Sequence, residues 1–64
     1  MDSEIIKNFV NHRVKIYCIN SIAWHGKILK IYEDSLLLND KYGHHVIVKF
    51  SSINSIEDLG GIYE

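Results

Sequence analysis

Proline is absent from this chain, and cysteine occurs once, at Cys18. A lone cysteine excludes an intrachain disulfide, and no Cys/His set has the spacing of a structural zinc site. It also fits a reducing compartment. No apolar run approaches the roughly 20 residues of a membrane-spanning helix, and the acidic start Met1-Asp2-Ser3-Glu4 does not read as a signal peptide. A cytoplasmic location without membrane association is the expectation. Neither sign of charge dominates: 7 Lys and Arg against 8 Asp and Glu leave a net charge of −1 with histidines neutral. That excludes a uniformly basic nucleic-acid binder, so any footprint for a polyanion must be local. Repeats and low-complexity tracts are missing. So is any Ser/His/Asp or paired-carboxylate arrangement, and neither an enzyme nor a cofactor is expected.

What is present is apolar. Hydrophobic residues make up 47% of the 64 positions, which is ample for a core and argues against disorder. The length implies a single domain, 1–64. A chain this short buries only about 60% of its unfolded surface. Small domains without disulfide or metal often gain stability by oligomerising, so burial between subunits is expected.

The longest strand-like run is Trp24-His25-Gly26-Lys27-Ile28-Leu29-Lys30-Ile31-Tyr32. Trp24, Gly26 and Ile28 share one face at period two. The phase then slips, because Ile31 and not Lys30 is the next residue suited to burial. A slip of one residue is the mark of a bulge or sharp bend. Gly26 adds a second point of curvature, since a residue without Cβ lets a strand coil or another backbone approach. A long strand bent in its middle can serve two sheets at once, as a very small barrel requires.

The remaining elements follow from periodicity. Ile5, Ile6, Phe9 and Val10 recur at helical spacing behind the N-cap candidates Asp2 and Ser3, predicting a helix over about 3–10. Val14, Ile16 and Cys18 alternate with Lys15, Tyr17 and Ile19, predicting a strand over 13–20 with one face buried. Asn20-Ser21 reads as a turn in which the asparagine takes positive φ. The bent strand spans about 23–32. Leu36-Leu37-Leu38 lies in a strand over 35–39 that is apolar, and so covered, on both faces. Turn formers fill 39–43. Strands over 44–50, with Val46, Val48 and Phe50 on one face, and over 53–57 follow, with a tail over 59–64. One helix and five short hairpin-linked strands predict a mainly β fold, a strongly bent five-stranded antiparallel barrel. OB-folds usually need more chain, and the N-terminal helix favours an Sm-like over an SH3-like barrel.

The run Ile16-Tyr17-Cys18-Ile19-Asn20-Ser21-Ile22-Ala23-Trp24-His25-Gly26-Lys27-Ile28 resembles the first two strands of Hfq, the bacterial Sm-like RNA chaperone family, which reads I-Y-x-x-N-G-I-x-x-x-G-x-I. Leu36-Leu37-Leu38 and Ile53-Asn54-Ser55-Ile56 are similar to two further segments, so that the resemblance covers about residues 3–57. It implies an Sm-like barrel, a homo-oligomeric and typically hexameric ring, and binding of single-stranded RNA. Tyr17 and Ile22 match two residues of the adenine-binding face of that family, and His25 falls where it has a glutamine. Ser21 replaces the turn glycine. The Tyr-Lys-His sequence that binds uridine-rich RNA is replaced by Lys49, Phe50 and Ser51, with Lys49 the residue able to stand in for an Sm-type arginine. The aromatic that stacks uracil falls on Asp34.

The candidate RNA-binding residues are therefore Tyr17, Ile22, His25 and Lys49. Tyr17 reads equally well as a stacking platform or as a cross-strand aromatic. Trp24 reads as core. Lys27, Lys30 and Lys49 could attract phosphates, and a ring would repeat each of them in every subunit, but three dispersed lysines read rather as a solvated face. His44 and His45 point to opposite faces of a strand and cannot easily chelate one ion. Cys18 reads as a small buried apolar residue. The leading function is a ring that positions single-stranded RNA without catalysis. The alternatives are an Sm-like scaffold or protein-interaction ring that has lost RNA binding, and an SH3-like monomeric adaptor. Assembly is expected through the edge strands 44–50 and 53–57, neither of which carries proline.

Overall fold

In a computed structural model, which describes residues 3–60, the alternation of Val14, Ile16 and Cys18 becomes strand β1 (Arg13–Cys18). The bent run becomes β2 (Ala23–Ile31), and the leucine triplet lies in β3 (Ser35–Asp40). Strand β4 (His45–Lys49) and strand β5 (Ile53–Gly60) complete one antiparallel sheet in the order β4-β3-β2-β1-β5. A helical turn, α1 (Ser3–Ile6), precedes them.

Connectivity alone requires the sheet to curl. Strands β4 and β5 are its two ends, yet only the 3-10 turn Phe50–Ser52 joins them. Such a link reaches about 14 Å at most, whereas four strand spacings in a flat sheet span roughly 19 Å. The turn is held at both margins: Phe50 N–H donates to Asp34 O at 2.9 Å and Ile19 N–H to Ser52 O at 2.9 Å. The bend in β2 is where the phase slip places it. Ile28 faces Leu38 and Lys30 faces Leu37, so Leu29 is the extra residue of a bulge. Beyond it Ile31 faces Leu36. Gly26 lies between Val14 and Asp40. A Cβ there would collide with the Asn39 carbonyl oxygen and approach the Asp40 Cα to 2.7 Å. The glycine permits a close approach of β3.

The core is the concave side of this curl. Ile6, Val14, Ile16, Ile28, Leu36 and Leu38 are fully buried, and Cys18, Val48, Phe50 and Ile53 nearly so. Trp24, Ile31, Val46 and Ile56 pack against them from the margins.

Several boundaries differ from the sequence expectation. The helix ends at Ile6 and continues as the 3-10 turn Lys7–Phe9, and Val10 is already extended with ψ 135°. Asn11, at φ 69°, turns the chain so that its N–H donates to Ile28 O at 2.7 Å, while Ile28 N–H donates to His12 O at 3.2 Å. Pairing with β2 displaces a further helical turn, and Ile5 is left 53% exposed. The first strand stops at Cys18, because Ile19 bonds to Ser52 and Ser21 N–H closes a turn onto Cys18 O at 3.1 Å. Positive φ falls on Ser21 (70°) and not on Asn20, whose side-chain oxygen accepts from Ile22 N–H at 3.3 Å. The fourth strand starts at His45 and ends at Lys49, since Phe50 opens the 3-10 turn. The last strand passes Glu57 and takes in Leu59 and Gly60 of the expected tail, because a shift between Arg13 and Val14 lets Arg13 pair with Gly60. The rest of that tail, and Asp2, lie outside the described residues. Leu37 is only half-buried, so β3 is fully covered on one face alone.

Candidate nucleic-acid interface

Alternation in β1 that buries Val14 and Ile16 turns Lys15 and Tyr17 outward. Pairing with β2 sets Arg13 opposite Lys27, Lys15 opposite His25 and Tyr17 opposite Ala23. On the other side of β1, Glu57 stands opposite Lys15 and Ser55 opposite Tyr17. The Tyr17 hydroxyl donates to Glu57 Oε1 at 3.0 Å, and the Lys15 ammonium lies 5.4 Å from the Tyr17 ring centroid. Tyr17 is thus a half-buried ring fixed at its tip by a carboxylate and flanked by a cation.

Ile22 follows the turn of the first hairpin and is 47% exposed; Ile19, before the turn, is 69% exposed. The fold therefore brings Tyr17 and Ile22 to the two sides of one turn, with His25 further along the outward face of β2. Lys49 is not part of this group. It is exposed on β4, opposite Ser35, at the far end of the sheet order. His45 is exposed in β4, and the His44 side chain is 76% exposed in the preceding turn. Among the described residues no three His, Cys, Asp or Glu side chains converge to hold a metal ion.

The β3–β4 turn closes the outward face on its other side. Asp40 organises it: its Oδ1 accepts from Tyr42 N–H at 2.9 Å and His44 N–H at 2.8 Å, and its carbonyl accepts from Gly43 N–H at 2.9 Å. The His44 N–H is the main reason the Asp40 carboxyl is held below its ordinary value of 3.8; partial desolvation opposes it, and Tyr42 N–H and the His44 ring add to it. Lys41 N–H donates to His25 O at 2.9 Å, tying the turn to β2. Tyr42 stands 73% exposed with the Lys41 ammonium 5.3 Å from its ring centroid. Between this turn and β1–β2 lie two adjoining clefts. One, of about 270 Å³, is bounded by Lys15, Trp24, His25, Lys41 and Tyr42. The other, of about 330 Å³, is bounded by Arg13, His25, Lys27, Asn39 and Lys41.

Among solved structures, the chain is similar to the crystal structure of the pleiotropic translational regulator Hfq, with a TM-score of 0.74 and 18% identity over 84% of this chain and 92% of that one. The fold is Sm-like. No protein-family model matches the chain, and no curated protein sequence does. Against this Sm-like frame, Ser21 at φ 70° occupies the position where the resemblance has glycine. Sequence reasoning missed Lys15, Lys41 and Tyr42. It grouped Lys27 with Lys30 and Lys49, whereas Lys30 sits beyond the bulge with its ammonium 5.6 Å from the Tyr32 ring centroid. The register of the first hairpin was the available signal: once the turn lies at 18–22, Arg13 meets Lys27.

Proposed function

We propose that this Sm-like chain, taking residues 1–64 as one domain, assembles into a homo-oligomeric ring in the cytoplasm and positions single-stranded RNA, with no chemistry of its own. The carrying observation is the placement of Tyr17 and Ile22 on either side of the first hairpin turn, with His25 on the outward face of β2. The similarity to a translational regulator supports the same reading. A base stacked on Tyr17 is worth about 1–3 kcal/mol by alanine substitution, and one such platform per subunit, with Ile22 and His25 beside it and repeated round a ring, would hold a strand without a strongly basic chain. Lys49 serves a different surface or none. No helix among the described residues is long and apolar enough to cross a membrane.

Ring closure follows from the edges. Strands β4 and β5 each have one partner in the sheet, and unpaired edges recruit strands. A head-to-tail contact of β4 with the next subunit's β5 must close or grow without end. Light scattering checks this: a hexamer or another closed ring is the expected result, and a monomer at high micromolar concentration overturns it. Ile56→Lys, on the half-buried margin of β5, should shift the population towards monomer or unfolded chain.

For RNA, Tyr17→Ala should weaken binding to A-rich oligonucleotides by about 1–3 kcal/mol, while Ser51→Ala changes it little. Equal losses reject the assignment of faces. The rival reading is a scaffold ring without RNA. It is favoured by Glu57, whose carboxylate takes the Tyr17 hydroxyl and places negative charge beside the platform. Absence of binding to A-rich and U-rich strands at low salt would decide for it.

A further inference from the structure

The chain carries one more acidic than basic residue, yet its cations are not evenly spread. Arg13, Lys15, Lys27 and Lys41, four of the 7 basic residues, line the two adjoining clefts, whereas Asp40 is the one acidic residue among the described residues that does. Asp40 is turned into its own loop. Its side chain is 10% exposed, and Oδ1 is occupied by the Tyr42 and His44 N–H groups. Glu57 lies across β1 from the clefts, opposite Lys15. The Lys15 and Lys41 ammoniums rest over the Tyr17 and Tyr42 rings, and among the described residues Lys15, Lys27 and Lys41 form no ion pair.

We propose that these clefts hold successive backbone phosphates of a single-stranded nucleic acid, with Tyr42 offering its ring to a base. The proposal rests on the RNA-binding reading above and adds the course of the strand's backbone. Spacing supports a track over a single anion site. The cross-strand rows Arg13–Lys27 and Lys15–His25 are one two-residue repeat apart, about 6.8 Å, which suits consecutive phosphates of an extended strand. Lys41 borders both clefts and bridges the rows. Each volume is near the lower end of the range for small-ligand sites, about 300–1,000 Å³. An exposed tyrosine at the mouth supplies a stacking face that tolerates any base.

The test is the salt dependence of binding, measured by fluorescence anisotropy with 5′-hydroxyl A-rich and U-rich RNA. Each neutralised phosphate of a single strand contributes about 0.7 to the slope of log affinity against log salt. Lys27→Gln/Lys41→Gln should reduce the slope by about 1.4 and weaken both RNAs alike. Lys30→Gln, beyond the bulge, should leave the slope unchanged. Tyr42→Ala should weaken binding severalfold with the wild-type slope. Melting curves verify that each variant is folded, and the single exposed change Lys41→Gln, with an expected slope loss of about 0.7, serves if the double variant is not. A Lys27→Gln/Lys41→Gln or Lys41→Gln variant that binds with the wild-type slope overturns the phosphate track and leaves RNA binding intact. A lysine effect seen only with 5′-phosphorylated RNA also overturns it, in favour of a chain-end site. If wild-type protein binds neither RNA, the RNA reading itself falls and the track with it.

Discussion

Two glycines of this fold separate space from backbone conformation, and substituting each by alanine turns that difference into a measurement. At Gly26 the backbone angle is ordinary, but an added Cβ would meet the Asn39 carbonyl oxygen, Asp40 Cα at 2.7 Å and Asn39 C at 2.9 Å. All three are backbone atoms of β3, so no side-chain rotation relieves the overlap. Overpacking of this kind costs about 1–3 kcal/mol. Pushing β3 away also strains the neighbouring Lys41 N–H to His25 O bond, worth about 0.5–1.5 kcal/mol. Loss of the glycine's unfolded-state entropy returns about 0.4–1 kcal/mol. At the midpoints of these ranges the net expectation for Gly26→Ala is a loss of about 2.3 kcal/mol. A domain of this size has only about 3–10 kcal/mol in total. At about 4–8 °C per kcal/mol, the melting temperature should fall by roughly 10–20 °C. Gly43 is the opposite case. Nothing lies within 4 Å of its Cβ position, but its φ is +84°. Gly43→Ala should cost only the left-handed penalty, about 1 kcal/mol. Urea unfolding at one fixed protein concentration measures both, since assembly makes apparent stability concentration-dependent. The reasoning is refuted if Gly26→Ala is as stable as wild type, or if Gly43→Ala is the more damaging change.

The first hairpin turn offers a stabilising change: Ser21 at φ 70° bears a left-handed penalty of about 1–2 kcal/mol that glycine lacks, and after the entropy cost of glycine, Ser21→Gly should raise stability by about 0.5–1 kcal/mol; an unchanged or lower melting temperature would contradict it. The Asp40 carboxyl, held below 3.8 in the folded chain chiefly by the His44 N–H, stabilises the fold above the unfolded carboxylate range and loses that contribution as pH falls through its folded value. Wild type should therefore lose more stability on acidification than Asp40→Asn, and an NMR titration should place Asp40 under 3.8; a value at or above it sinks the argument.

Legibility from sequence tracked how local the cause was. The bulge at Leu29 could be read because Ile31 and not Lys30 fits the core, a conflict within one strand. The close approach at Gly26 could be suspected, though its cause is the β3 backbone and not the inside of a curve. Tyr17 and Ile22 could be placed because a short turn fixes both. What could not be read depends on partners distant in the chain. The early end of the helix comes from Asn11 pairing with Ile28. The continuation of β5 over Leu59 and Gly60 depends on an irregularity opposite Arg13, which no alternation in residues 58–60 announces. The hydrogen bond of Tyr17 to Glu57 joins positions whose neighbourhood exists only after the sheet curls.

The cation clusters carry an energetic argument of their own. Like charges directly opposite in an antiparallel pair oppose the pairing, by about 0.2–1 kcal/mol, and Arg13 stands opposite Lys27. Lys15 stands opposite His25 one repeat further on, and Lys41 faces both clefts. A strand pair selected for stability alone would place a carboxylate at one of these positions, as β5 does with Glu57 opposite Lys15. On the β2 side no such partner is supplied, and Asp40, the nearby acid, spends its oxygen on the loop backbone. Local rules broken in this way at Lys15, Lys27 and Lys41, which form no ion pair among the described residues, suit a site whose compensation comes from outside. In the proposed complex a bound polyanion would supply it, converting repulsion across β1–β2 into shared attraction. The same residues then respond to salt in opposite directions: screening relieves the free protein and weakens the complex. A merely solvated face of scattered lysines has no reason to show that reversal.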